Sequence, residues 1–321
     1  MVITQTPLRF SLFGGNTDFR EYFLKYGGMV LTTTIDKYIY CIVKELFDNR
    51  IIVNYSIKEE VEDVNDIKHE LVRESLRLLG IKNGVEVSFL ADIPTKGTGL
   101  GSSSTVTVGL LNALHNYLGE SVSPEQLARE AVQIEIDILK KPIGVQDQYA
   151  VAYGGLRSFM FETNGEVVTD KISINDLIRE DLNNSLMLFY TGLTRSSNDV
   201  LSSFDVNKNK EYLDRTKMLA SDGIVALIRG DLKRLGQLLD VSWDLKKKAN
   251  DRVTNKEIDS MYSKVKKAGA IGAKVIGAGG GGFMLVMFPA NKRAKIRNAL
   301  KDYKEMPFRF SKLGSRVILN I

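Results

Sequence analysis

The sequence predicts an α+β fold in two domains, from three observations. The chain has 321 residues, more than one hydrophobic core usually serves. Strand-like and helix-like runs alternate through its second half. Two glycine-rich loops, at 94–104 and 277–282, each lie between an apolar strand-like run and another structured element.

The elements follow in order. Residues 3–13 alternate and are rich in strand formers, and 29–34, 38–43 and 50–55 are further strand candidates. Residues 64–79 have helical periodicity, with Ile67, Leu71, Leu76 and Leu79 near one face and Gly80 as the stop. Residues 85–91 form a strand that runs into the first glycine loop, and 102–118 read as a mostly buried helix. Ser123 caps the next helix, Pro124 takes its first position and Gln126 completes a capping box. Its core stripe is Leu127, Ala131, Ile134 and Ile138, with Glu135 at the border of that stripe. A strand at 156–161 precedes polar residues 162–184, which read as strand turns and a linker. The expected domains are therefore 1–183 and 184–321. In the second, a strand at 185–190 leads to several helices up to about residue 267. Strands at 273–276 and 283–288 flank the second glycine loop, and a helix at 291–300 and a closing strand complete it.

Composition narrows the function classes. Apolar residues make up 44% and charged residues 26%, ordinary values for a soluble globular protein. The net charge of +5 suits anionic metabolites, and no long basic run interleaves with aromatics, which disfavours nucleic acid. Lys246, Lys247 and Lys248 read as one solvated helix face. The single cysteine, Cys41, excludes an intrachain disulfide. The first seven residues lack a basic and an apolar signal region, and no apolar stretch approaches the roughly 20 residues of a membrane span. The expectation is a cytoplasmic protein without membrane contact. His69 and His115 have no partner at ligand spacing, which argues against a zinc site or a Ser-His-Asp triad.

The first glycine loop opens a helix. Glycines turn backbone N–H groups toward an anion, and the helix N-terminus adds partial positive charge. The loop is not a Walker A motif, because Ser102 rather than Lys follows Gly101, and no dinucleotide fingerprint surrounds it. A phosphorylated ligand, ATP above all, fits Gly97, Gly99, Leu100 and Gly101 with the hydroxyls of Ser102, Ser103 and Ser104. Phosphoryl transfer also needs a divalent cation, an acid to orient the acceptor hydroxyl and a cation for developing charge. Glu135 with a loop hydroxyl can supply oxygen ligands for Mg2+, though a plain helix-surface acid is the competing reading. Asp147 is an acid in a polar, turn-forming segment, 144–149. Arg9, on an otherwise apolar strand, requires an anion partner. Asp18, in the run Gly14, Gly15, Asn16, Thr17, Asp18, reads either as a hydroxyl-binding acid or as an Asx-turn.

Three motifs in order, at 7–18, 94–104 and 274–282, make the chain resemble the GHMP kinases. The glycine-rich start at 14–18 and the segments 146–156, 190–195 and 242–247 are similar to the heptose kinases of that family. Asn16 stands where those kinases carry a third glycine, and Ser104 replaces the family's alanine. The resemblance implies an N-terminal α/β domain with a left-handed βαβ crossover, a ferredoxin-like C-terminal domain, and a cleft between them for ATP and acceptor. It implies transfer of the ATP γ-phosphoryl group to the anomeric hydroxyl of a phosphorylated heptose, within nucleotide-activated heptose biosynthesis. Ser103 and Glu135 would be the magnesium ligands, and Asp147 the catalytic acid steadied by Arg9. Asp18, Gly14, Gly15, Asn16 and Thr17 would meet the sugar, with Gly279, Gly280 and Gly281 of the third motif. Arg195, ahead of Arg20 and Arg157, is the expected cation for the acceptor phosphate. A kinase for fucose, galactose or a related sugar is the enzymatic rival, and a non-catalytic protein of the same fold is the rival of another class. For assembly, a homodimer is an expectation that the sequence does not fix.

Overall fold

A computed structural model describes residues 1–94, 97–194, 200–202 and 204–321. Two β-sheets organise them. The first has the order β12 (Arg316–Asn320), β1 (Val2–Phe13), β2 (Gly28–Glu45), β5 (Val85–Ala91), β3 (Ile51–Asn54) and β4 (Lys58–Val61). To it β6 (Leu156–Phe161) adds by pairing with β2, and β7 (Val167–Lys171) by pairing with β6. The second sheet has the order β11 (Glu305–Met306), β8 (Leu186–Tyr190), β10 (Phe283–Met287) and β9 (Gly272–Val275).

The second sheet is antiparallel throughout, and its strands, numbered within this half, run 4-1-3-2. That is the ferredoxin-like βαββαβ arrangement. In the first sheet β3 and β5 are parallel, and the chain passes between them through β4 and helix α2 (Glu70–Leu78). The closing strand, expected with the second half, lies in the first sheet: β12 pairs antiparallel with β1.

Residues 29–34 and 38–43, expected as two strands, are one 18-residue strand, β2. Its first half pairs with β6 and its second with β5, while β1 runs along both. Between the halves the Asp36 amide donates to the Arg309 carbonyl (2.9 Å) and Ile35 bridges Phe310, which keeps the segment extended. Opposite this junction the β1 register shifts between Pro7 and Arg9. Such a bulge re-aims the side chain that follows it, and that side chain is Arg9.

Other boundaries moved for local reasons. The helix expected over 64–79 begins with a 3-10 turn at Val64–Asp66, and α2 starts only after His69, whose Nδ1 accepts from the Val72 amide. The polar stretch 162–184 holds β7 and a further helix, Asp176–Asn184, capped by Asn175 accepting from the Ile178 amide at 2.8 Å. Helix α3 (Ser102–Tyr117) packs on β1 and β2, with Val108, Leu110, Leu111 and Leu114 fully buried. Helix α4 (Pro124–Val132) has the expected cap: Ser123 accepts from the Gln126 amide at 3.1 Å. The second leg of the capping box is absent, because the Gln126 side chain donates to Glu130 instead.

Beyond α4 the chain continues as a π-turn, Gln133–Ile138. The wider turn changes the helical phase. Ile138, expected in the core, is 42% exposed, whereas Glu135 is 0% exposed. Helix α5 (Gln146–Tyr153) follows, so Asp147 sits in the first turn of a helix and not in an irregular segment. Counting α1 as Arg20–Tyr26 and α6 as Asp176–Asn184, the long pair α7 (Lys210–Ile228) and α8 (Leu232–Ala249) ties the sheets together. Helix α7 packs on β1 and β2, and α8 on β9. No helix is long and apolar enough to cross a membrane among the described residues.

Candidate active site

The two glycine-rich loops, far apart in sequence, pack backbone to backbone. A Cβ on Gly99 would lie 2.7 Å from the Ile276 carbonyl oxygen, and one on Gly277 would lie 2.5 Å from the Gly99 Cα. Both residues also have positive φ, so glycine alone satisfies the site. Beside this junction lies a cavity of about 680 Å³ lined by both halves of the chain.

Arg9 and Asp147 form its centre. Arg9 is held by its own strand and by its amide, which donates to the Leu100 carbonyl at 3.1 Å. Its Nε donates to Asp147 Oδ1 at 2.6 Å, its Nη2 donates to Oδ2, and its Nη1 donates to the Gly99 carbonyl at 2.9 Å. The fork is bidentate, the strongest and most directional form of this pair. The Arg9 side chain is 6% exposed and that of Asp147 is 23%, so the carboxylate keeps an open edge toward the cavity.

One pole of the cavity is the start of α3. Gly101, in the left-handed conformation, precedes Ser102 and directs the helix N-terminus inward. Ser103 is exposed to the cavity and donates to Glu135 Oε2 at 3.0 Å; Ser104 donates to the same oxygen at 3.4 Å. Lys141 donates to Ser103 Oγ at 3.3 Å. Among the described residues Glu135 Oε1 has no hydrogen-bond partner, though it is buried. Burial raises the Glu135 pKa, opposed by the Lys141 charge. A buried carboxylate oxygen in want of a partner, beside an exposed hydroxyl, is a donor set that suits a hard cation.

The opposite pole is polar. Asp18, 2% exposed, accepts from the Gln146 amide and from Gln146 Nε2, each at 3.1 Å. Gln146 in turn accepts from Ser11 Oγ at 2.8 Å. Burial, with the Asp147 charge adding to it against the Gln146 hydrogen bond, pushes the Asp18 carboxyl up to about 6. Gly144 makes room: a Cβ there would lie 1.9 Å from Asp18 Oδ2. Asn16 has φ +72, a left-handed conformation that asparagine tolerates better than other side chains, which accounts for asparagine where the related kinases carry glycine.

The cavity brings together most of the expected residues: Arg9, Gly15, Asn16, Asp18, Glu135 and Asp147. Gly97, Gly99, Gly101, Ser102, Ser103, Ser104, Gly279 and Gly281 line it as well. Four others stand behind the wall. Thr17 is fully buried and donates to the Gly14 and Met29 carbonyls at 2.7 and 2.9 Å, so it ties the first motif to β2. Gly14 packs against Met29 and Val30, Leu100 is fully buried in the core, and Gly280 donates its amide to the Val253 carbonyl. Arg195 lies outside the described residues. Arg20 is paired with Asp137, and Arg157 donates to the Gly154 carbonyl and stacks on Tyr153; neither lines the cavity.

Two cations were missed. Lys246 does not belong to a solvated face: it lines the cavity, half-buried, and donates to the Gly277 carbonyl at 2.6 Å. Lys247, beside it, stacks on Tyr262 of the following helix, Lys256–Ala268. Lys274, 8% exposed, also lines the cavity and donates to the Leu12 carbonyl at 2.8 Å. Spacing carried a signal for Lys246, since Ser242 lies one turn earlier on α8 and lines the cavity too.

A glycine-bounded helix N-terminus, a buried acid with a hydroxyl neighbour, and an Arg-held carboxylate facing a polar pocket are the parts that phosphoryl transfer from a nucleotide requires. The comparisons with known proteins agree. Residues 66–155 match the GHMP kinases N terminal domain and residues 224–305 the GHMP kinases C terminal model. The chain is 32% identical to a D-glycero-alpha-D-manno-heptose 7-phosphate kinase of Campylobacter jejuni, over 97% of each protein. It is 24% identical to a galactokinase of Pyrococcus furiosus over 94% of this chain and 93% of that one. Among solved structures, a D-glycero-D-manno-heptose 1-phosphate kinase of Bacteroides thetaiotaomicron superposes with a TM-score of 0.84 at 25% identity, covering 100% of both chains. A putative sugar kinase of Campylobacter jejuni superposes with a TM-score of 0.79 at 30% identity, over 98% of this chain and 97% of that one. The chain belongs to the GHMP kinase family and is a phosphotransferase that uses ATP on a hydroxyl acceptor.

Proposed function

We propose that the chain transfers the γ-phosphoryl group of ATP to the anomeric hydroxyl of D-glycero-D-manno-heptose 7-phosphate, giving the 1,7-bisphosphate for nucleotide-activated heptose biosynthesis. The observation that carries this reading is the position of Asp147, between the α3 N-terminus and the Asp18–Gln146 pocket, with both oxygens held by Arg9. Likeness to the heptose 7-phosphate kinase of Campylobacter jejuni over nearly the whole chain supports the acceptor.

The chain's own groups divide the work. The α3 N-terminus and the backbone of Gly97, Gly99 and Gly101 hold the phosphates of ATP. Asp18 and Gln146 fix the sugar through its hydroxyls. Asp147 accepts a hydrogen bond from the anomeric hydroxyl and aims its oxygen at the γ-phosphorus. As the new O–P bond forms and the bond to the β-phosphate oxygen breaks, the hydroxyl proton passes to the Asp147 carboxylate. Arg9 keeps that carboxylate in one orientation and stabilises charge on the transferring oxygens. Ser103 and Glu135 would hold Mg2+, which when bound neutralises the β- and γ-phosphate oxygens. The reaction belongs in the cytoplasm, where ATP is available.

The test is an acceptor-dependent ADP assay against the heptose 7-phosphate, mannose, fucose and galactose. The reading expects the phosphorylated heptose to exceed the free sugars in kcat/KM. Equal turnover of a free hexose would transfer the assignment to another sugar and leave the kinase in place.

A further inference from the structure

An acceptor that carries a phosphate monoester needs cations at its far end; of the arginines expected there, Arg20 and Arg157 are engaged elsewhere and do not line the cavity, and Arg195 lies outside the described residues. The cavity holds Arg9, Lys141, Lys246 and Lys274 as its described cations. Arg9 is committed to Asp147, and Lys141 to Ser103 and Glu70 at the α3 pole. Lys246 and Lys274 have no carboxylate in ion-pairing reach among the described residues; each donates only to backbone carbonyls. An ammonium has three donors, so both lysines keep N–H groups to spend on a ligand.

Their location assigns the ligand. Lys274 is anchored on Leu12, the neighbour of Ser11, and Ser11 belongs to the Ser11–Gln146–Asp18 chain of hydrogen bonds at the acceptor pole. Lys246, one helical turn from Ser242 on α8, lines the same cavity, donates to the Gly277 carbonyl and lies within charge reach of Lys274. Burial and the neighbouring Arg9 charge lower both lysines to about 7, with Lys274 adding to the effect at Lys246, so an anion that joins them would restore the charged forms. Two ammonium groups withdrawn from water, neither with a carboxylate partner among the described residues, are costly unless an anion joins them.

We infer that Lys246 and Lys274 form the subsite for the phosphate monoester of the acceptor and set the preference for a phosphorylated over a free sugar. The inference rests on the acceptor reading above. Because the two lysines come from α8 and β9, the subsite belongs to the second half of the chain, whereas Asp147 and the α3 loop belong to the first. Bound acceptor then spans both halves, its phosphate on one and its reacting hydroxyl on the other.

The experiment uses the full chain, wild type and the variants Lys246→Met and Lys274→Met, with two readouts. The first is the binding of inorganic phosphate, followed by thermal shift with magnesium and a non-hydrolysable ATP analogue filling the α3 pole. The inference expects a saturable rise in Tm for wild type and, in each variant, phosphate affinity weakened about 10-fold or more, the loss of one charge-assisted hydrogen bond. No rise in wild type, or an equal rise in both variants, overturns the subsite whatever the acceptor proves to be. The second readout is the ratio of kcat/KM for heptose 7-phosphate to that for the free heptose. It should collapse in the variants; a parallel fall on both acceptors would mean that the lysines serve the transferred group, and would overturn the inference. A wild type without preference, but with lysine-dependent phosphate binding, upholds the subsite and counts against the acceptor reading alone. Methionine keeps the length of the stem while removing a buried charge, so unliganded Tm should not fall. If a methionine variant fails to fold, Lys246→Gln and Lys274→Gln give the same readouts.

Discussion

Arg9 grips both carboxylate oxygens of Asp147, across 138 residues of sequence, from a strand position immediately after a register shift. The pair gives Asp147 one fixed orientation and leaves an edge open to the cavity. Asp147→Asn keeps the shape but removes the charge that receives the proton. Turnover should fall by roughly 10² or more, the scale of general-base losses, while ATP affinity in an equilibrium titration stays within a few-fold of wild type. Retained turnover would remove Asp147 from the proton path.

The α3 pole makes a separate prediction about the metal. Ser103 is exposed and contributes little to packing, so Ser103→Ala should leave the thermal unfolding curve in place and strongly reduce magnesium-dependent turnover. Glu135→Gln should raise the magnesium needed for half-maximal rate by at least the roughly 10-fold that a supporting group is worth to a metal site. A magnesium titration superimposable on wild type would return Glu135 to a structural role.

Gly144 has an ordinary φ, so a side chain there is excluded by space alone. Gly144→Ala would drive a Cβ to 1.9 Å from Asp18 Oδ2, a contact that only movement of the Asp18 carboxylate or of the 144–146 backbone can relieve. The variant should lose stability by the roughly 1–3 kcal/mol of an overpacked core, and its KM for acceptor should rise more than its KM for ATP. Equal changes in both constants would place the pocket for the sugar elsewhere.

The Asp18 carboxyl predicts a pH dependence. Its folded pKa of about 6 lies above the ordinary 3.8, so between these values the native protein holds a proton that the unfolded chain has lost. This contribution to stability is fully present below about 3.8 and is lost as pH rises through about 6. Relative to Asp18→Asn, wild type should therefore lose about 3 kcal/mol of stability across that window, read by urea unfolding at stepped pH. A flat difference would mean that folding leaves the pKa of this carboxyl unchanged.

Much of the site could be read from the chain because its chemistry is local in sequence. A glycine-bounded hydroxyl run at a helix start, an acid beside a core stripe and an arginine on an apolar strand each carry their own physical signal. The strand at 85–91 and the helix start at Ser102 also fell where periodicity and the glycine loop indicated. What escaped depended on distant partners. The two candidate strands merged into β2 because the C-terminal segment at Arg309 and Phe310 braces their junction. The π-turn, which inverts the exposure of Glu135 and Ile138, breaks the regular period from which the stripe was read. Lys246 looked solvated because the sequence alone cannot orient it toward the Gly277 carbonyl of another element.

The most direct test of the account is the identity of the product. Purified protein, ATP, magnesium and D-glycero-D-manno-heptose 7-phosphate should give one ADP per acceptor consumed, and 31P NMR should show a second sugar phosphate resonance coupled to the anomeric proton. Acceptor-independent ATP hydrolysis, or a new phosphate coupled to any other sugar proton, would contradict it.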